Sequence, residues 1–119
     1  MTEFERYKQQ RIDAVAEHTD ALIEKHGFVF GAQNQVFNLD QASQTKWLAL
    51  RTMKIDLTFP LDISPRTGVY SLEATDLDAF LQAGLAVVQS YKDSGRLLRL
   101  QIEAAQTLGD LALIEDDRT

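Results

Sequence analysis

Between residues 77 and 105, apolar and small residues recur at alternating intervals of four and three residues. They are Leu77, Leu81, Gly84, Val88, Tyr91, Gly95, Leu98, Ile102 and Ala105. This spacing keeps every member on one side of an α-helix, so it predicts one long helix with a heptad seam. The phase continues through Gly95, which makes residues 94–95 a weak point within one helix rather than a loop. Gly84 and Gly95 each lower helix propensity by roughly 1 kcal/mol relative to alanine, so we expect them to admit a neighbouring backbone or large side chain.

A second helix is predicted over residues 2–26, at the other end of the sequence. Thr2 and Glu5 have the spacing of a capping box, and Gly27 is suited to end the helix. The predicted inward stripe consists of Ile12, Val15, Ala16, Thr19, Leu22, Ile23 and His26. Phe4 and Tyr7 lie off this stripe, which suggests that residues 1–11 form a docking helix that protrudes from the domain core.

The middle of the chain predicts two β-hairpins and one further helix. Short aromatic and aliphatic runs flank a polar turn at residues 32–34, and a similar arrangement surrounds residues 64–68. Asp40 is expected to cap the helix between the hairpins with its carboxylate, and Thr75 is expected to cap the last helix. The resulting fold class is α+β, mainly α, in the order α-ββ-α-ββ-α. We predict a single domain over residues 1–114 and a frayed, charged C-terminal tail over residues 115–119.

Composition and motif content argue against most chemistry. The chain has a net charge of −6 and no cysteine. Its clearest basic patch consists of Lys46, Arg51 and Lys54, and it fits a solvated helix face better than a nucleic-acid site. His18 and His26 lie too far apart on one helix for a metal pair, and no phosphate loop or nucleophile motif is present. We therefore expect no enzyme activity, no cofactor, no metal and no nucleic-acid partner. The lack of a signal peptide or an apolar run of ~20 residues also predicts a cytosolic origin without membrane insertion.

Apolar residues in excess of one small core predict a protein interface. Leu97, Leu100, Leu108 and Leu111 would form a second stripe on the C-terminal half of the long helix, and Phe4 and Tyr7 lie outside the first helix's stripe. An exposed patch of several hundred Å² usually marks an interaction site. We expect these residues to contact a second copy of the chain or a neighbouring protein in a multi-copy assembly.

Three segments resemble a phage-encoded domain of unknown function found in tail-fibre and baseplate-region proteins of tailed bacteriophages. They are FNLDQASQ at residues 37–44, LEATDL at residues 72–77 and IEAAQTLGDL at residues 102–111, and the similarity extends over residues 6–114. The chain departs from the family before the last helix, where it has Phe59-Pro60-Leu61 and a turn over residues 64–68 in place of the family's Trp and Asp-Asn turn.

The resemblance implies a structural subunit of a virion, located in the tail and present in the host cytoplasm during assembly. Its partners would be other phage tail proteins, further copies of itself, or both. The alternative is a tail-fibre assembly chaperone that leaves before the particle matures. A small helical enzyme or regulator is a third interpretation, which would require a polar pocket.

Overall fold

The computed structural model describes all 119 residues and confirms the predicted class, with 63% helix and two short antiparallel strand pairs. Its helices and strands follow in this order: α1 (Glu3–His26), β1 (Phe28–Phe30), β2 (Gln35–Phe37), α2 (Gln41–Thr52), β3 (Leu61–Ile63), β4 (Tyr70–Leu72), α3 (Leu77–Ala104) and α4 (Leu108–Ala112). Two 3-10 turns, Lys54–Asp56 and Ala74–Asp76, follow α2 and precede α3. None of the helices combines the length and hydropathy that a bilayer crossing requires.

Local sequence signals place both ends of α1. The Glu5 amide donates to Thr2 Oγ1 at 3.1 Å and the Thr2 amide to Glu5 Oε2 at 3.3 Å, which is the predicted capping box. Gly27 has a φ of +58° and its amide donates to the Ile23 carbonyl at 2.9 Å, as a helix-ending glycine does.

The two hairpins lie within the predicted segments, with strands of three residues each. Phe28 pairs with Phe37 in the first hairpin, and Leu61 pairs with Leu72 in the second. All four of these residues point inward or are half-buried, whereas Val29 is exposed. Pro60 lies just before β3 and therefore takes no donor out of the strand pairing.

Both predicted side-chain caps of the later helices are wrong. Asp40 has the extended backbone of an N-cap residue, but its side chain makes no capping hydrogen bond and its Oδ1 is buried without a partner. Thr75 lies inside the 3-10 turn that leads into α3, where the backbone is already helical. A capping residue needs extended backbone, so Thr75 cannot serve as one.

The chain forms two compact units that both use α1 and α3. Unit 1 consists of residues 1–22 and 90–119, and unit 2 consists of residues 23–89. None of the residues of the predicted seam is exposed, and α3 continues unbroken through Gly95. The single domain over residues 1–114 stays a prediction.

The C-terminal part of the chain differs most from expectation. α3 ends at Ala104, and Thr107 starts the separate helix α4 through a capping box with Asp110. The Asp110 amide donates to Thr107 Oγ1 at 3.0 Å, and the Thr107 amide donates to Asp110 Oδ2 at 3.2 Å. The sequence predicted that Leu108 and Leu111 continue the α3 stripe of Leu97 and Leu100. This prediction is wrong, because the two residues belong to the separate helix α4.

The charged tail is ordered rather than frayed. Arg118 has a side chain that is only 13% exposed, and its guanidinium donates to Thr19 Oγ1 at 2.9 Å and to the Val15 carbonyl at 3.2 Å. The prediction of a frayed tail is wrong, because the charge-rich composition of these residues does not indicate hydrogen bonds to distant backbone groups.

Candidate functional site

The predicted partner-interface residues are not equally accessible. Tyr7, Leu97, Leu100 and Leu108 are exposed, and Phe4 is half-buried against the core of unit 1. Leu111 is buried, in one cluster with Val15, Ile102 and Ala105. Its assignment to the interface is therefore wrong, because the break before α4 turns this leucine into the core.

Residues 1–11 do not protrude from unit 1. Lys8 Nζ donates to the Glu103 and Ala105 carbonyls at 2.8 and 2.9 Å. Arg11 donates to the Leu111 carbonyl at 3.1 Å and also to the Ile114 carbonyl. These bonds hold the first turns of α1 against the rest of unit 1. The prediction that residues 1–11 form a protruding docking helix is therefore wrong.

Unit 2 contains an apolar groove of about 360 Å³ between α2 and α3. Its two walls are helical stripes: Gln44, Trp47, Leu48 and Arg51 on α2, and Asp78, Leu81, Gln82, Leu85 and Val88 on α3. Phe28, Leu39 and Gly84 complete the lining. Spacings of three and four residues on both walls mean that the groove follows the length of the two helices.

The wall formed by α2 is fixed by hydrogen bonds and aromatic packing. Trp47 Nε1 donates to the Asn38 carbonyl at 3.0 Å, and Gln44 Nε2 donates to the Leu39 carbonyl at 2.7 Å. The Trp47 ring also packs edge-on against Phe80, with 5.2 Å between the ring centroids. These contacts fix Gln44 and Trp47 of this wall against unit 2.

Gly84 lets the floor of the groove close beneath α3. A Cβ at this position would lie 3.2 Å from Phe28 Cε1 and 3.5 Å from Leu39 Cδ2. The seam prediction that Gly84 admits a large side chain is consistent with this contact. Gly84 therefore allows Phe28 and Leu39 to pack directly under the helix.

The rim of the groove combines exposed leucines with charged groups. Leu48 is 66% exposed and Leu85 is 51% exposed, one on each helix. Arg51 forms no ion pair, while Asp78 lies 3.9 Å from Lys54 Nζ in an exposed pair of small energetic weight. An apolar interior with a few polar groups at its edge is typical of a binding site.

A second polar cluster lies in unit 1 around the ordered tail. Arg118 pairs with Asp116 at 2.7 Å, and His18 Nδ1 lies 2.9 Å from Asp116 Oδ2. The hydrogen bond from Arg118 lowers the pKa of Asp116 far below its usual value; burial opposes the shift, and His18 adds to it. The same bond raises the pKa of Arg118.

This cluster has the features of a structural network. The Arg118 guanidinium also donates to Ser94 Oγ at 3.1 Å and to the Tyr91 carbonyl at 3.3 Å, so its donors are directed at protein groups. No three His, Cys, Asp or Glu side chains of the structure are grouped as metal ligands. The adjacent cavity of about 270 Å³ is lined by both α1 and α3 residues of unit 1, including Asp20, Lys92 and Arg99.

The groove was not recognised from the sequence, although half of its signal is visible there. Gln44, Trp47, Leu48 and Arg51 have the spacing of one helix face, whereas the cations Lys46, Arg51 and Lys54 by themselves predict only a solvated face. Which part of α3 lies opposite α2 depends on tertiary packing.

Comparison of the chain with known protein families, curated proteins and solved structures gives no match.

Proposed function

We propose that this protein is a structural subunit of a tailed-phage virion, in the tail, baseplate or tail-fibre region, and that it acts by binding other proteins and not as an enzyme. The observation that carries the protein-binding role is the apolar groove of unit 2 with Leu48 and Leu85 exposed on its rim. The phage setting rests on the resemblance of residues 37–44, 72–77 and 102–111 to the phage-encoded domain.

Energetics favour protein binding as the use of this groove. Covering apolar surface gains about 25 cal/mol per Å², and here that surface lies on two adjacent helices instead of being scattered. The Arg118 guanidinium donates its hydrogen bonds to protein oxygens. This arrangement suits a role in fixing the C-terminal residues 115–119 better than a role in catalysis. Partners in this proposal are other tail proteins or further copies of the chain.

Retention in the particle separates this proposal from its alternative, a tail-fibre assembly chaperone. Quantitative mass spectrometry of purified particles should detect the protein at a fixed ratio to the other tail proteins. Detection in infected cells but not in particles would favour the chaperone.

A groove variant tests whether binding is the reason for retention. Leu85→Glu should reduce the amount of protein in particles, because it places a charge on the apolar rim. Val69→Glu is the matched control, since Val69 is 71% exposed in the same unit and does not line the groove. Equal incorporation of both variants would contradict a role for the groove.

A further inference from the structure

We propose that the groove between α2 and α3 binds an amphipathic α-helix that carries acidic residues beside its apolar face. This inference rests on the proposed function as a protein-binding subunit and specifies the chemistry of the partner. Three properties of the groove carry it: its length, its exposed rim and its charge.

The length of the groove matches a short stretch of helix. Its α2 wall runs from Gln44 to Arg51, about 10 Å at 1.5 Å per residue, and its α3 wall runs from Asp78 to Val88, about 15 Å. Two to three turns of a partner helix span these distances. Such a helix presents its own apolar side chains at intervals of three and four residues, the same period as the two walls.

The exposed rim favours a helix over a small ligand. A small ligand in the interior would contact Leu81 and Trp47 but would leave the outward parts of Leu48 and Leu85 in water. A helix lying along the groove would cover both leucines, which are 66% and 51% exposed and lie on opposite walls. The leucines then become the edges of a buried interface.

The charge distribution specifies acidic residues on the partner. Residues 41–55 contain Lys46, Arg51 and Lys54 and no acidic residue, in a chain whose net charge is −6. All three cations are exposed, and Arg51 itself lines the groove. Lys54 is already paired with Asp78, which lines the α3 wall. A helix with Glu or Asp on the side that faces α2 would therefore pair with Arg51, whereas Lys on that side would be repelled.

The test uses the full chain and two designed, labelled 15-residue peptides with identical leucines. One peptide carries Glu and the other Lys at the flanking positions, and binding is measured by fluorescence anisotropy at two salt concentrations. We expect the Glu peptide to bind at least roughly tenfold more tightly, which corresponds to about 1.4 kcal/mol. Added salt should reduce this preference, because the charges lie at a solvent-exposed rim.

Variants assign the binding to the groove. Arg51→Glu, at an exposed position without an ion pair, should weaken the Glu peptide and strengthen the Lys peptide. Leu85→Glu should weaken both peptides, and Val69→Glu should leave both unchanged. Circular dichroism checks that each variant keeps its helix content, and Arg51→Glu still tests the inference if Leu85→Glu unfolds.

Several outcomes would overturn the proposal. Equal affinity for the two peptides, or no response to Arg51→Glu, would remove the acidic partner. Saturable binding of dodecanoate with no binding of either peptide would assign the groove to a small amphiphile. Self-association in sedimentation velocity that is lost in Leu85→Glu and unaffected by the Glu peptide would assign it to a second copy.

Particle composition separates failure of this inference from failure of the proposed function. A protein that is retained in particles but binds neither peptide refutes only the acidic helix. A protein that binds the Glu peptide but is missing from particles refutes only the virion assignment.

Discussion

The two compact units are stabilised by different kinds of interaction. The core of unit 2 is an aromatic cluster around Phe80, which is fully buried. The Phe80 ring centroid lies 5.0 to 5.3 Å from the centroids of Phe28, Phe30, Phe37 and Trp47. Aromatic pairs at such distances contribute beyond their buried area, so unit 2 depends on close ring packing.

Unit 1 has a smaller aliphatic core and more directional contacts. Its buried cluster consists of Val15, Ile102, Ala105 and Leu111. Lys8, Arg11 and Arg118 then donate hydrogen bonds to backbone carbonyls at distant points in the sequence. Unit 2 has one cation of this kind, Arg66, which donates to the carbonyls of Glu24 and Lys25 at 2.6 and 2.8 Å.

This difference predicts which kind of substitution should destabilise each unit. Apolar packing is nondirectional and fails when volume is lost, whereas hydrogen bonds from a cation fail when a single donor group is removed or displaced. It also explains why the groove lies in unit 2. Trp47 belongs to both the aromatic cluster and the groove wall, so the packing that stabilises unit 2 also fixes the binding surface.

The largest effect is expected from Phe80→Ala. Removing a buried ring that contacts four others should lower the free energy of unfolding by about 3–5 kcal/mol, the usual range for Phe-to-Ala changes in a core. Urea denaturation followed by Trp47 fluorescence measures this, with Ile55→Ala as the control. Ile55 is 97% exposed, so its truncation should cost less than about 0.5 kcal/mol. Similar losses in the two variants would mean that ring packing does not stabilise unit 2.

The two seam glycines should respond differently to the same change. A Cβ on Gly95 would lie 2.6 Å from Thr19 Oγ1 and 3.3 Å from Arg118 Nη1, both within the polar network of unit 1. Gly95→Ala should therefore destabilise by about 1–3 kcal/mol, the scale of overpacking. Gly84→Ala should be close to neutral, because a gain of roughly 1 kcal/mol in helix propensity offsets a tight contact with Phe28.

Thermal melting of both alanine variants decides between these expectations, and Gly84→Leu calibrates the measurement. The leucine should clash with Phe28 and Leu39 and cost about 1–3 kcal/mol. Equal melting temperatures for Gly95→Ala and Gly84→Ala would show that the network in unit 1 adapts as readily as ring packing in unit 2.

Residue spacing predicted the periodic parts of the fold and missed the contacts that close it. The seam of α3 and the capping box of Thr2 are local patterns, so the sequence contains their full signal. The break before α4 was missed because the apolar spacing of Ile102, Ala105 and Leu108 stays in helical phase through it. The pair Thr107 and Asp110 was the readable sign of a new helix start.

Other features depend on the fold as a whole. The position of Arg118 arises from carbonyl groups about 27 and 103 residues away in the sequence, which no local pattern encodes. The groove likewise requires a stripe of α2 and a stripe of α3 to lie side by side. Each stripe is visible by itself, but their pairing is a result of packing around Phe80.

Arg118→Ala should have a smaller effect than the core changes. The variant removes the charged donor of Asp116 and the bonds to the Val15 and Tyr91 carbonyls, at a cost of about 1–2 kcal/mol. The cost stays in this range because both carbonyls still accept from the Thr19 and Ser94 hydroxyls. The control is Arg99→Ala, which removes an exposed pair with Glu103 worth about 0.5 kcal/mol or less. Chemical denaturation gives the free energies, and faster amide exchange in residues 115–119 should accompany only Arg118→Ala. Equal results for the two variants would make the ordered tail irrelevant to the stability of unit 1.

The smallest expected effect is a dependence of unit 1 on acid, through Asp116. Its pKa lies well below the ordinary value of 3.8, chiefly because Arg118 donates to the carboxylate. As pH falls from about 4 to 3, the unfolded chain binds a proton that the folded chain does not, so the stabilisation is present above this range and declines within it. One such proton changes the free energy of unfolding by about 1 kcal/mol over that interval.

Asp116→Asn should remove this component, whereas Asp117→Asn, at an exposed neighbouring position, should keep it. Urea denaturation at each pH measures the difference between the two variants. If the two variants lose stability in parallel between pH 4 and pH 3, the bond from Arg118 to Asp116 does not contribute to folding.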